Sequence, residues 1–264
     1  MAELSASDVS GAHGTRQLRA DGYAIFKGVV PPDLIGAMRE AVNTDYLRAD
    51  GAGIPSGSLR VGERRFQISI DLYGPFIDPR VFANRAVMQV IDATLEDGWV
   101  IGDYTCVAAL GGAPAMHVHR DASIFNTHNF APLLPAYSVA LLIPLVEQTA
   151  DSGVTRLWPG SHRLRTTVDE VAASTQYIDH ELRVGDALLM DSRLYHRGNA
   201  NRTADPRPLL YLNYCNPWYM DFTNFLTQPN MRLSDANLAR VDPDHRCRFV
   251  RRNIDYSRTF ILPD

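Results

Sequence analysis

The segment from Met116 to Asp121, MHVHRD, contains two residue types that bind transition metals. In an extended strand the side chains of residues two apart point to the same face, so His119 and Asp121 can approach one ion. Two histidines with one carboxylate suit Fe(II) and leave coordination positions open for a co-substrate and oxygen. A His-x-Asp pair alone is a weak signal, so a third ligand must come from elsewhere in the chain.

His196 is the leading candidate for this third ligand, because it follows a predicted turn and strand from Gly185 to Asp191 that can carry it to the site. Arg207 stands at the start of the apolar segment 208–214. An arginine in that position can hold a carboxylate through two parallel hydrogen bonds. A metal with open positions beside a carboxylate clamp is the arrangement that a chelating keto acid needs.

The elements that must position these residues change in character near residue 99. Before it, apolar residues recur at helical spacing in two stretches, Leu34-Met38-Val42 after Pro32 and Val87-Ile91-Leu95 after Pro79. After it, short β-branched or aromatic segments follow one another without helices, which is typical of an antiparallel sandwich or barrel. The predicted strands are 23–30, 65–70, 104–110, 138–146, 154–158, 187–190 and 209–214.

The sequence therefore predicts a mainly β fold with flanking helices. We expect one domain over residues 1–264, with a β core from roughly 99 to 220 and N-terminal helices from roughly 8 to 98. The polar tail from about Met231 has no clear place in this fold. Residues 51–62 and 125–135, which contain glycine or proline, are expected to form a lid over the substrate.

Composition excludes several classes of function. Hydrophobic residues make up 45% and charged residues 21% of the chain, as in ordinary globular proteins, and the net charge is −4. This charge gives no reason to expect a nucleic-acid partner or an anionic membrane. There is no run of eighteen apolar residues and no secretory signal pattern at the N-terminus. We expect a cytoplasmic monomer or homodimer that acts on a small molecule.

The stretch from Asp151 to Arg163, DSGVTRLWPGSHR, resembles the Pro-Gly-Ser-His-Arg signature of the phytanoyl-CoA dioxygenase family. The segment 21–42 resembles that family's N-terminal strand and helix. His119-Arg120-Asp121 is similar to its His-x-Asp pair, and Tyr195-His196-Arg197-Gly198 is similar to the segment with its distal histidine. Arg207 is similar to its 2-oxoglutarate arginine, so the likeness extends from about residue 17 to 215 in the family's order.

This resemblance implies a double-stranded β-helix, or jelly roll, that binds one Fe(II) through His119, Asp121 and His196 and 2-oxoglutarate through Arg207. Such enzymes decarboxylate 2-oxoglutarate with O₂ to succinate and CO₂ while they oxidise a C–H bond of a substrate. We expect hydroxylation of a natural product or an amino-acid-like compound. Thr155, Tyr137 and Asn199 are further candidates for hydrogen bonds to the co-substrate, and spacing does not select among them.

Two alternatives remain open from the sequence. His117, His119 and Asp121 also form the His-x-His-x-Asp pattern of metallo-β-lactamase-like zinc hydrolases, although that motif continues with a histidine where this chain has Ala122. The hydrolase fold is αββα, which the succession of short strands does not favour. A cupin-like isomerase or a non-catalytic cupin-like metal-binding protein would need the histidines but no arginine clamp.

Overall fold

The computed structural model describes residues 11–47, 53–121, 131–221 and 223–254. Its α-helices are α1 (Gly11–Asp21), α2 (Pro32–Asp45), α3 (Pro79–Phe82), α4 (Arg85–Asp92), α5 (Val168–Ala173) and α6 (Asp235–Leu238). Its strands are β1 (Tyr23–Phe26), β2 (Leu59–Gly62), β3 (Arg65–Ile68), β4 (Val100–Ala109), β5 (Ser138–Pro144), β6 (Thr155–Leu157), β7 (Ile178–Asp179), β8 (Ala187–Asp191), β9 (His196–Gly198) and β10 (Arg207–Cys215). Of the two predicted lid segments, residues 51–52 and 125–130 lie outside the described part of the chain.

The N-terminal helices form where a favourable first helical turn is followed by apolar residues at helical spacing. Helix α2 begins with Pro32 and an acidic residue, and it buries Met38 and Val42 against the core. The stretch after Pro79 is two helices rather than the single one predicted. Asn84 interrupts it in an extended conformation, and its side-chain oxygen accepts a hydrogen bond from the backbone N–H of Ala86 at 3.0 Å, which starts α4 afresh.

The main sheet has seven strands in the order β1-β8-β5-β10-β4-β3-β2, all antiparallel in their pairing. Strands β1 and β3 lie within the strands predicted at 23–30 and 65–70, whereas β2 lies in the glycine-rich segment 51–62 that was expected to be a loop. All three precede the predicted β core from roughly 99 to 220, so the sheet draws on more of the chain than that core. Because side chains alternate along a strand, Leu210 and Leu212 of β10 enter the large core while Arg207, Leu209 and Tyr211 face the other way, into a cleft.

A second, three-stranded sheet in the order β7-β6-β9 forms the opposite wall of this cleft. The segment 116–121 was predicted as a strand. It instead runs beside β9 with a single antiparallel bridge, in which His119 and His196 exchange two backbone N–H···O bonds of 3.0 and 2.9 Å. Two facing antiparallel sheets confirm the predicted jelly roll.

The C-terminal tail, which the sequence left unplaced, seals one end of the core. Met231, Leu233, Val241 and Phe249 are all buried there. Polar residues between them meet water, which is why the stretch reads as polar overall. Within the described ranges, no helix is long and apolar enough to cross a membrane.

Gly153 occupies a turn that another residue would strain. Its φ is +88°, and a Cβ built on it would lie 2.7 Å from the carbonyl oxygens of Asn199 and Ala200. We expect Gly153→Ala to lower the free energy of unfolding by about 1–3 kcal/mol, because both the backbone conformation and the contact are unfavourable. Urea denaturation measures this change.

The matched control is Gly36→Ala in α2, where an added Cβ meets no atom within 4 Å. There the substitution is expected to raise the unfolding free energy by roughly 0.5–1 kcal/mol, since glycine weakens a helix interior. Equal effects of the two substitutions would show that the turn at Gly153 is not under the constraint described.

Candidate metal centre

Three side chains from two distant segments of the sequence meet beside strand β9. The Nε2 atoms of His119 and His196 lie 3.5 and 3.4 Å from Asp121 Oδ1. One ligand atom from each of the three residues lies within 4.8 Å of the other two. Among the described residues, this is the group of histidine, cysteine, aspartate or glutamate side chains arranged to hold a metal ion.

Each imidazole is held by the backbone two residues before it. The Nδ1 atom of His119 lies 2.9 Å from the carbonyl oxygen of His117, and that of His196 lies 3.0 Å from the carbonyl oxygen of Leu194. A carbonyl can only accept a hydrogen bond, so Nδ1 carries the proton in both rings. The lone pair is then on Nε2, the atom that faces Asp121, which is the tautomer that metal ligation requires.

The carboxylate of Asp121 is oriented from the main sheet. Tyr211 of β10 donates its phenolic O–H to Asp121 Oδ2 at 2.7 Å. Burial raises the pKa of Asp121, but the charge that His196 carries when protonated, and hydrogen bonds from both imidazoles in their protonated form, outweigh it and hold that pKa well below its ordinary value. Burial and the Asp121 charge raise the pKa of Tyr211 far above its ordinary value, so the phenol keeps the proton it donates.

Two buried arginines lie at one end of the cleft. Arg207 on β10 and Arg65 on β3 both pair with Ala109, on opposite sides of β4, and are 2% and 1% exposed. Arg65 donates to the carbonyl oxygens of Pro114 and Asn199 at 3.2 and 3.0 Å. Arg207 Nε and Nη1 have no hydrogen-bond partner among the described residues.

The electrostatics of this end of the cleft favour an anion. Burial, and then repulsion from Arg65, lower the pKa of Arg207 to about 9, and burial lowers that of Arg65 to about 10. Both values remain above neutral pH, so two guanidinium charges face the cleft. A buried charge without a partner is costly, and an anionic ligand would remove that cost.

The structure places the predicted co-substrate contacts differently. Thr155 is buried and lines the cleft. Tyr137 does not line it, because it packs against Trp218 and Tyr219 beyond the start of β5. The side chain of Asn199 also points away and donates to Asp179 Oδ1 at 3.2 Å. The residue before it, Gly198, lines the cleft instead, because adjacent residues in an extended backbone face opposite ways.

Sequence reasoning missed Arg65, Tyr211 and Asp103, which line the cleft. Alternation within the predicted strand 65–70 could have marked Arg65 as inward-facing, but nothing local shows that it sits beside Arg207. His117, which a zinc hydrolase would use, has an exposed side chain outside the ligand cluster. The structure therefore gives that alternative no support.

Two similar sequences are dioxygenases. The dioxygenase trt7 of Aspergillus terreus is 27% identical over 205 residues, which cover 75% of this chain and 71% of the relative. The iron/alpha-ketoglutarate-dependent dioxygenase ausU of Aspergillus calidoustus is 26% identical over 218 residues, which cover 78% of this chain and 71% of the relative.

Solved structures share the fold. HygX from Streptomyces hygroscopicus, solved with nickel, 2-oxoglutarate and hygromycin B, has a TM-score of 0.61 at 15% identity over 79% of this chain and 88% of its own. EctD from S. alaskensis, solved with 2-oxoglutarate and 5-hydroxyectoine, also has a TM-score of 0.61, at 20% identity over 78% of this chain and 76% of its own.

The sequence profile of the phytanoyl-CoA dioxygenase family matches residues 18–209, which is well over half of the chain. This match spans the two candidate histidines, the candidate aspartate and Arg207. The protein therefore belongs to the phytanoyl-CoA dioxygenase family and is an iron- and 2-oxoglutarate-dependent dioxygenase.

Proposed function

We propose that His119, Asp121 and His196 bind the Fe(II) of this dioxygenase and that Arg207 and Arg65 bind the distal carboxylate of 2-oxoglutarate. We further propose that the enzyme hydroxylates a small natural product or an amino-acid-like compound. The observation that carries the proposal is the set of three metal-binding atoms within 4.8 Å of one another, in the same cleft as two buried guanidinium groups.

The donor set fits a ferrous ion. Two imidazole Nε2 atoms and one carboxylate oxygen form a ligand type that suits non-haem iron and leaves coordination positions open. Both rings already have the tautomer that presents Nε2. The low pKa of Asp121 keeps its carboxylate ionised, so the group carries the negative charge that a divalent cation needs.

The arginine end fits the co-substrate. Arg207 has two N–H-bearing atoms, Nε and Nη1, without partners among the described residues, so its guanidinium has donors left for a carboxylate. Thr155 lines the same cleft and offers a hydroxyl. Fe(II) and 2-oxoglutarate, when bound, supply the oxidising chemistry, in which O₂ is consumed, succinate and CO₂ are released and a substrate C–H bond is oxidised.

The chain's own residues position the reactants and exclude water. Val107, Leu142 and Leu209 give the cleft an apolar wall beside the candidate ligands. Part of the cleft is open to solvent, so a small molecule can enter it. Such a wall keeps bulk water from the reacting atoms while the substrate is held in place.

We also propose one catalytic domain over residues 1–264 and a cytoplasmic location. Strands from the first and second halves of the chain share the main sheet, which supports a single domain. Cys106, Cys215 and Cys247 are all free thiols, which is usual in a reducing compartment.

An anaerobic titration tests the assignment of the centre. Fe(II) and 2-oxoglutarate together are expected to give a visible charge-transfer band with the purified protein, and admission of O₂ is expected to release succinate. Zinc without a keto acid is expected to give no turnover. Hydrolytic activity with zinc alone, and no band with Fe(II), would reverse the proposal in favour of the hydrolase.

Tyr211→Phe is expected to weaken Fe(II) binding by ~10–100-fold, because it removes the hydrogen bond that orients the Asp121 carboxylate. An Fe(II) titration at saturating 2-oxoglutarate, followed through the same band, measures the effect. Tyr46→Phe is the matched control, since Tyr46 also donates to an aspartate, Asp71, but away from the cleft. If both variants bind Fe(II) like the wild type, Tyr211 has no part in holding the metal ligand.

A further inference from the structure

The two ends of the cleft carry ionisable groups of opposite kind, arginines at one end and carboxyl groups at the other. On the cleft face of β10 and β4, Arg207 lies opposite Ala109, Tyr211 lies opposite Thr105, and Asn213 lies opposite Asp103. Tyr211 reaches the candidate metal centre through Asp121. At ~3.3 Å per residue, the arginine end lies ~13 Å to one side of the Tyr211 row and the Asp103 row lies ~7 Å to the other.

Asp103 is a buried carboxyl group aimed into this cleft. It is 3% exposed and lines the cavity, and its Oδ1 has no hydrogen-bond partner among the described residues. The ionisable groups near it are the carboxyls of Asp221 and Asp121, the phenol of Tyr211 and the thiol of Cys215, and the polar group beside it is the amide of Asn213. No described lysine, arginine or histidine forms an ion pair with it.

An acid in this environment has no evident structural purpose. Ser138 donates to the Asn213 side-chain oxygen at 2.8 Å, so the Asn213 amide is held with its N–H groups free to face the carboxyl. Burial, and then repulsion from Asp221 and Asp121, raise the pKa of Asp103 well above its ordinary value. A carboxyl that lacks a donor for one oxygen in a desolvated site is costly to the fold, which points to a ligand that supplies the missing donor.

Asp221 brings a second carboxylate to the same end of the cavity. It is partly exposed and lines the cleft together with Asn224, whose amide donates to Asp221 Oδ2 at 2.7 Å. The backbone N–H of Asn224 also donates to Asp221 Oδ1 at 3.4 Å, so the same residue orients both oxygens of Asp221. A positively charged group that enters the cleft would therefore meet one buried and one partly exposed carboxyl group.

We propose that the substrate carries a protonated nitrogen, an amine or a guanidine, and that Asp103 and Asp221 bind it. The inference rests on the proposed function, because the acidic end can bind the substrate only if the arginine end holds 2-oxoglutarate. The remainder of the substrate is apolar or neutral, since Val107 and Leu142 line the wall between the two ends of the cleft. The nitrogen sits ~7 Å along the sheet from the metal row, so the carbon that is oxidised lies a few bonds from it.

A pair of probes that differ only in charge tests this. Binding of 4-phenylbutylamine and of 4-phenylbutanol to the anaerobic protein with Fe(II) and 2-oxoglutarate is measured by isothermal titration calorimetry. The amine is expected to bind about ten-fold more tightly, because its ammonium donates to buried carboxylate oxygens. Asp103→Asn is expected to remove most of this preference and Asp221→Asn to reduce it.

Asp97→Asn is the matched control, since Asp97 is exposed and does not line the cleft. It removes the same charge and is expected to keep the preference. If Asp103→Asn does not fold, the comparison of Asp221→Asn with Asp97→Asn decides the matter. Equal binding of amine and alcohol by the wild type, or a preference unchanged in the cleft variants, would overturn the inference.

The charge-transfer band in the same samples distinguishes a failure of the substrate inference from a failure of the proposed function. A band without an amine preference leaves the proposed metal and co-substrate sites in place and overturns only the substrate inference. The absence of a band overturns the proposed function and, with it, the inference that depends on it.

Discussion

His196→Ala is expected to eliminate both the Fe(II)–2-oxoglutarate absorption band and the release of succinate. His196 is almost fully buried, and its Nε2 lies 3.4 Å from Asp121 Oδ1 at the centre of the candidate site. Loss of a group that only supports a ligand weakens metal binding by ~10–100-fold, so loss of the ligand itself should exceed that range. Anaerobic titration with Fe(II) measures the affinity, and a succinate assay measures turnover.

His117→Ala is the control for this experiment, because His117 lies two residues from His119 with an exposed side chain. The backbone carbonyl that holds His119 remains in this variant, so the band and the turnover should be retained. If His117→Ala loses the band and the turnover while His196→Ala still binds Fe(II), the metal is held by the His-x-His-x-Asp pattern and the assignment of ligands is wrong.

Arg207→Met is expected to raise the KM for 2-oxoglutarate by roughly 100-fold, because two charge-assisted hydrogen bonds to the co-substrate are lost. The same substitution should leave the ligand-free protein equally stable or more stable. Arg207 is buried beside Arg65 without a carboxylate partner among the described residues. An apolar side chain of similar length removes the free-energy cost of burying that charge. Better stability with poorer co-substrate binding is characteristic of a residue kept for function.

Initial rates against 2-oxoglutarate concentration, and thermal unfolding with and without 2-oxoglutarate, measure the two effects. The wild type should gain stability from the ligand and the variant should not. Arg202→Met, which removes an exposed arginine outside the cleft, should behave as the wild type does. A ligand-free Arg207→Met protein that unfolds far more easily would mark Arg207 as a structural residue.

The sequence predicts the fold class, and the structure confirms it. Runs of apolar, β-branched or aromatic residues identify β4, β5, β8 and β10, because each run is long enough to stand out in the sequence. Short strands such as β7 and β9 carry too few residues to show such a run, and they form through pairing with β6. The apolar residues of the tail are too widely spaced to predict burial, which depends on the surface they meet.

The candidate metal ligands were found from the sequence because histidine and aspartate at short spacing are chemically distinctive. The second arginine was not, since Arg65 and Arg207 are brought together only by the shared neighbour Ala109. Asn199 was misplaced because its position one residue beyond Gly198 turns its side chain to the outer face. Register across strands determines such contacts, and a single sequence does not contain it.

The paired backbone bonds between His119 and His196 have a consequence for the empty enzyme. They hold the backbones of the two residues side by side, and the Nδ1–carbonyl hydrogen bonds orient the two rings, independently of any ion. Metal binding therefore requires little rearrangement of the polypeptide, and the ligand side chains keep their spacing when the ion dissociates. The protein is expected to survive repeated stripping with a chelator and to regain its ion rapidly each time, with circular dichroism that stays constant throughout.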